Sequence, residues 1–385
     1  MGGSFFCANF SQKQQFVISE VSANQDFLAL QKKMRASISI LLVFVSLFAS
    51  AQDGIIRVHI DGNFYSTPIV TTDGNVVIAS HNKTMYLFNS RGEQQNSYTT
   101  KGWIHATPAQ LSDSQIAIGS YDKRFYFFDK DGNFQKSICP KAGKIFTEPV
   151  EVGTGKIAFG TGRGKVMFYD IKADSLYYAK VGHIMHGSPL TLSNGKVAIG
   201  GNGRRVFIID SAAHVCAKYK TKGWVMHSKP TETADGQIIV GSYDKHLHSI
   251  DTAARLNWKY KTKGRIHSSI LQTPDGNIVF GSFDKNVYCL SADGKLINKY
   301  TTGNRVVSSP AMVGDSMFVI CGIDGGVYFF STKGELLGKF QADGKFFSTP
   351  VTMHDGTVFC CTMKGSLYFI SREAVERIIS KSADL

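Results

Sequence analysis

The stretch "TKGWIHATP" occupies Thr100 to Pro108, and close copies return as "TKGWVMHSKP" at Thr221 to Pro230 and "TKGRIHSSI" at Thr262 to Ile270. Anchored on its last residue, the series runs Pro68, Pro108, Pro149, Pro189, Pro230, Ile270, Pro310 and Pro350, in steps of 40 or 41 residues. A fixed period of that length marks a repeat architecture. Eight units fill the chain from about Asn63 to Ser371.

Each unit reads alike. A short strand leaves the anchor, as in "HATPAQL", and a turn follows, often Asp-Gly (Asp73, Asp235, Asp275, Asp355). A second strand ends on a small residue ("QIAIGS", "QIIVGS", "NIVFGS"), and a tight turn such as "YDKR" or "FDKN" leads to a third ("FYFFD", "VYCLS"). A fourth strand ("LINKYTT", "LNWKYKT") ends the unit. Four short strands with turns every few residues, eight times over, predict an all-β, eight-bladed β-propeller of four-stranded antiparallel blades. "IIRVHI" (Ile55 to Ile60) stands where a fourth strand would precede the first unit, and the last unit has only three. The N-terminal strand is therefore expected to complete blade eight and close the ring, which removes a free sheet edge. "REAVERIISKSADL" is left as a short C-terminal helix or tail.

The first fifty residues differ in kind. The apolar run "ISILLVFVSLFA" (Ile38 to Ala49) follows Lys32, Lys33 and Arg35 and precedes "ASAQ". A basic flank, a short apolar stretch and a small-residue exit are the parts of a secretory signal. We read residues 1–33 as an upstream extension, 34–51 as the signal, 52–371 as the propeller and 372–385 as the tail. The protein is expected to be exported, periplasmic or secreted, and monomeric, with no transmembrane helix in the mature chain. Cleavage would remove Lys13, Lys32, Lys33 and Arg35 with Glu20 and Asp26, taking the net charge from +13 to +11. The six remaining cysteines show no spacing of a disulfide framework.

The segment "SSPAMVGDSMFVICGIDGGVYFFSTKGELLGKF" (Ser308 to Phe340) resembles the pyrroloquinoline-quinone-type propeller repeat, and the resemblance extends over all eight units. That repeat occurs in quinoprotein dehydrogenases and in the periplasmic propeller of the outer-membrane assembly machinery. The resemblance thus implies a propeller and leaves function open. The tryptophan usual in its fourth strand is clear at Trp258, with Tyr or Phe expected elsewhere.

Antiparallel blades sort the turns onto two faces. The turns between strands two and three, and the loops between blades, share one face, which carries 18 basic residues against six acidic ones. A ring of one sign focuses field and attracts anions. The candidate partner-binding residues on it are Lys101, Trp103, His105, Lys123, His186, Lys222, Trp224, His227, Lys245, Lys263, Arg265, His267, Lys285 and Arg305. Exposed indoles of Trp103 and Trp224 could stack on sugar rings; lids over the blade beneath are the structural alternative. The four histidines lie three residues before the anchor, where other units place Tyr65, Phe146, Val307 and Phe347. In the propellers this repeat resembles the first strand is innermost, which implies that these side chains start near the central channel; the apolar occupants predict that they pack between blades, and the alternative is a metal held by His186, His227 and His267. Vicinal Cys360 and Cys361 fall mid-strand, where neighbours point to opposite faces, so small core residues are expected rather than a disulfide.

No G-x-S-x-G elbow, Walker loop or H-E-x-x-H pair occurs. The reading that follows is a non-catalytic binding or scaffold propeller of the bacterial envelope with no cofactor and no specific nucleic acid. Its partner is expected to be an envelope protein or an anionic glycan. Two alternatives remain: a quinone- and calcium-dependent dehydrogenase, and an acidic-polysaccharide-binding protein.

Overall fold

A computed structural model describes residues 53–383; the signal-like segment and the upstream extension lie outside them. Among the described residues thirty-two strands, β1 to β32 in chain order, form eight four-stranded antiparallel sheets. The first blade shows the pattern: β2 (Ile69–Val70), β3 (Val76–Ala79), β4 (Thr84–Phe88) and β5 (Gln94–Thr99). In the last blade, β30 (Val351–Thr352), β31 (Val358–Cys361) and β32 (Ser366–Ile370) are completed by β1 (Ile55–His59). β1 pairs with β32 from Ile55↔Ile370 to His59↔Ser366, so the ring closes as the sequence predicts.

The two middle strands of each blade are buried on both faces and therefore lack hydrophobic alternation, as in "IAIG" and "FYFF". The outer strands keep one wet face, and Gln94–Thr99 alternates accordingly. The core lies between blades. Ile104 and Ala106 of one loop pack with Val77 of the first blade and Ile118 of the second. The small residue ending each second strand receives the loop that follows: a Cβ on Gly119 would lie 2.3 Å from Ile145, and one on Gly200 2.2 Å from Val225. Cys321 and Cys361 fill that position in the last two blades. Both are free thiols, as is Cys360, and burial pushes the Cys361 thiol up.

The fourth-strand position of Trp258 departs from expectation. Tyr177 is the one Tyr or Phe there; Ile56 holds the place in the last blade and the remaining occupants are small or polar, the larger of them reaching a turn of the next blade. Trp258 lies over Gly294, Tyr177 Oη donates to Ser211 O at 2.8 Å, and Asn96 donates to Asp131 O at 2.8 Å. In blade seven the position is Gly338, and Ile378 of helix α1 (Arg372–Ala383) covers it. Among the described residues no helix is long and apolar enough to cross a membrane.

Candidate functional site

Three structural layers make the loop face. The innermost is the central channel, a cavity of about 220 Å³. The residues three before each anchor line it, so His105, His186, His227 and His267 face the axis rather than packing between blades. They lie at the channel, where the resemblance implies they start; the expected packing between blades is not what the rings do, because an apolar neighbour set does not tell a blade interface from a narrow aromatic channel. His227 and His267 stack at 4.4 Å and 21°, His186 and His227 at 5.6 Å, and Phe347 meets His267 edge-on at 5.0 Å. His81, from the first blade's turn, joins them, 3.0 Å from His105. Burial holds the imidazoles neutral: His105 falls to about 3 and His267 to about 4, and His227 lies well below its usual value. For His105 and His227 the neighbouring imidazoles add to burial. Stacked rings do not converge on one point, and among the described residues no group of three or more His, Cys, Asp or Glu has metal-holding geometry.

One step along the channel the residues before the anchors form a hydroxyl-rich ring. Backbone N–H groups donate to the hydroxyl one blade on, as from Lys229 to Ser269 at 2.9 Å and from Ser309 to Thr349 at 3.1 Å. These bonds explain the small residues of the repeated loop. Glu148 and Lys229 interrupt the ring and pair with each other at 2.9 Å.

The second layer is the tight turn after each second strand. Its aspartates, counted from sequence as surface charges, are spent internally. Asp122, Asp284 and Asp324 accept from the Tyr four residues on, and Asp244 accepts from His248 at 3.1 Å. The same carboxylates accept loop N–H groups, as from Lys222 and Lys263. Asp244 is 7% exposed; burial alone would raise its pKa, but the hydrogen bonds and charge of His248 hold it well below the carboxylate range. The D-x-x-x-Y/H spacing was the available signal for this clamp.

By contrast, Lys101, Lys123, Lys222, Lys245, Lys263, Lys285, Arg265 and Arg305 are all exposed. None of the eight makes an ion pair among the described residues. Several occupy a costly backbone. Lys83, Lys123, Lys245 and Lys285 have φ between 69° and 75°, and Arg204 has φ 57°, where three other blades use Gly164, Gly325 and Gly365.

The third layer is a set of stacked pairs. In every blade the residue two past the small residue at the end of the second strand donates its N–H to the carbonyl of a loop residue, as Tyr121 to Trp103 and Tyr243 to Trp224. The loop side chain can then lie on the preceding blade's turn. Trp103 stacks on His81 at 5.1 Å and 10°. Lys144 lies over Tyr121 at 4.7 Å, Arg265 over Tyr243 at 5.3 Å and Arg305 over Phe283 at 5.5 Å. For Trp224 the corresponding residue is Asn202, followed by Gly203. A cleft of about 180 Å³ opens there, lined by Arg204, Lys222, Gly223, Trp224, Tyr243 and Arg265. The structure thus brings Lys222, Trp224 and Arg265 together, collects the four histidines in the channel, and leaves the other cations spread over the face.

No family model matches the sequence, and no curated protein matches it. The fold is similar to that of BamB from Moraxella catarrhalis, with a TM-score of 0.67 at 15% identity, over 82% of this chain and 98% of that one. At this identity the likeness is one of fold, an eight-bladed β-propeller.

Proposed function

We propose that the chain is a non-catalytic, exported binding propeller of the bacterial envelope that holds an anionic partner on its basic loop face. The observation that carries this is the left-handed turn position. Five of eight blades place Lys or Arg where Gly would be relaxed, at a cost of about 1 kcal/mol or more each. A solubilising role would be served equally by neighbouring positions without that strain. The acids of the same turns are committed to hydrogen bonds inside the turns and, among the described residues, make no ion pair with these cations. The repeat's resemblance to the envelope-assembly propeller, together with the fold likeness to BamB, supports a protein as partner. The open Trp224 cleft favours a second reading, an acidic polysaccharide.

A quinone cofactor over the channel would need calcium, which takes about 6–8 oxygen ligands. Among the residues lining the channel the sole carboxylate is Glu148, already paired with Lys229. That donor set does not suit calcium, and no step is built on it.

The test is retention of the full chain on immobilised polyglutamate at rising salt, against the variant Lys83→Gly, Lys123→Gly, Lys245→Gly, Lys285→Gly. Retention should weaken at least tenfold at about 0.1 M salt while the melting temperature holds or rises, because glycine relaxes the turns. Retention insensitive to both salt and variant would sink the charge mechanism.

A further inference from the structure

We infer that the cleft between the fourth and fifth blades binds one acidic sugar ring of an anionic polysaccharide. This rests on the basic-face reading and sharpens it to a ligand class.

The cleft exists because one stacking pair is missing. The joint holding Trp103 has an imidazole beneath the indole; here Asn202 and Gly203 supply no ring. Trp224 is 43% exposed and Trp103 52%, so what separates the two is the partner beneath: among the described residues Tyr243, tilted at 6.2 Å, is the one aromatic neighbour of Trp224. An exposed indole face suits the C–H face of a pyranose, and the polar rim stays wet. Three cations, Arg204, Lys222 and Arg265, line the same small cavity, and no carboxylate does. Arg265 is held in place over the Tyr243 ring, which pre-orients a planar donor fork for a carboxylate or sulfate. The volume, about 180 Å³, is below the roughly 300 Å³ at which drug-sized sites begin, so it takes one ring rather than several.

A peptide fits less well. Recognition of an extended peptide uses free main-chain groups, and those of this loop are committed. Lys222 N–H donates to Asp244, Gly223 C=O accepts from Thr221 Oγ1 at 2.6 Å, and Trp224 C=O accepts from Tyr243 N–H. What remains is a side-chain surface of indole, phenol and three cations.

The experiment is a titration of the full chain, followed by Trp fluorescence and calorimetry, with tetragalacturonate and a heparin-derived tetrasaccharide as acidic sugars. Maltotetraose is the neutral control and tetraglutamate the acidic-peptide control. At least one acidic sugar should bind at least tenfold more tightly than both controls. Trp224→Ala should weaken it at least tenfold, and Trp103→Ala less than twofold. Arg204→Gly, which suits the left-handed backbone there, gives a second reading should Trp224→Ala fold poorly, and should weaken binding at least threefold. If tetraglutamate binds as well as the sugars, or Trp224→Ala and Arg204→Gly bind like the parent, the sugar inference is overturned. In that case the basic-face reading survives if the four-glycine variant still loses polyglutamate. If neither acidic sugar binds at low salt the inference also falls, and loss of polyglutamate retention as well would remove both.

Discussion

The tripeptide Lys-Gly-Trp occurs in two inter-blade loops, at 101–103 and at 222–224, and the two loops agree at one end and differ at the other. Their inner ends both place a histidine, His105 or His227, in the channel. Their outer ends diverge: Trp103 lies flat on His81, while Trp224 overhangs Asn202 and leaves a cleft. The Trp224 loop is also one residue longer, with Met226 inserted and His227 at φ 65°. A motif copied by repetition is thus a lid in one blade and the wall of a cleft in another, and two features differ between them: the residue some twenty positions upstream and the inserted Met226.

The shared inner end should produce the largest effect. A histidine whose folded pKa is depressed stays neutral while the unfolded chain, with a usual value of about 6.5, takes up a proton. The unfolded state then binds more protons, so stability is full above about pH 6.5 and declines as pH falls toward the folded values, about 4 for His267 and about 3 for His105. His267 alone corresponds to about 3 kcal/mol across that window. Urea midpoints should therefore drop steeply between pH 6.5 and 4.5, before most carboxylates titrate. His267→Phe, which borrows the residue that Phe347 supplies in another blade, should flatten the curve. A midpoint indifferent to pH over that range would mean the channel imidazoles are solvated.

Much of this was legible beforehand. The anchor series gave the blades their number and closure because strand period and turn residues are local. Lys222, Trp224 and Arg265 stand out in the sequence for their charge and ring. Three things were not legible, each for a physical reason. The stacking of the histidines around the axis was not legible because a channel lined by Tyr65, Phe146 and Phe347 presents the same apolar substitutions as a blade interface. The turn aspartates were counted as surface charge because their pairing with Tyr126 or Tyr288 runs from one strand end to its own turn. The cleft is defined by a ring that is absent at Asn202, which shows only when the position is compared across all eight units.

The diverging outer ends make the intermediate prediction. Trp103→Ala removes a stacked pair with His81 and should cost about 1–2 kcal/mol. Trp224→Ala removes an overhanging ring and should stay within about 0.5 kcal/mol. Equal costs in urea denaturation would show that both indoles are lids. The same pair separates by fluorescence. The Trp103 emission should respond to acidification, since its partner His81 is held below its usual pKa by burial and gains charge only at lower pH. With Trp103→Phe that response should vanish, and with Trp224→Phe it should persist.

The smallest effect tests whether position 202 is the determinant. Asn202→His places in the fourth blade the residue that supports Trp103 in the first. If the loops differ for the reason given, the imidazole slides beneath Trp224, closes the cleft and adds about 0.5–1 kcal/mol. Acrylamide quenching measured in a Trp103→Phe background should then fall, and any anionic ligand of the cleft should weaken. The longer loop argues the other way, because Met226 and the left-handed His227 set the approach of Trp224 independently of what lies below. Unchanged quenching in Asn202→His would assign the cleft to that insertion, and deletion of Met226 would become the substitution that turns one loop into the other.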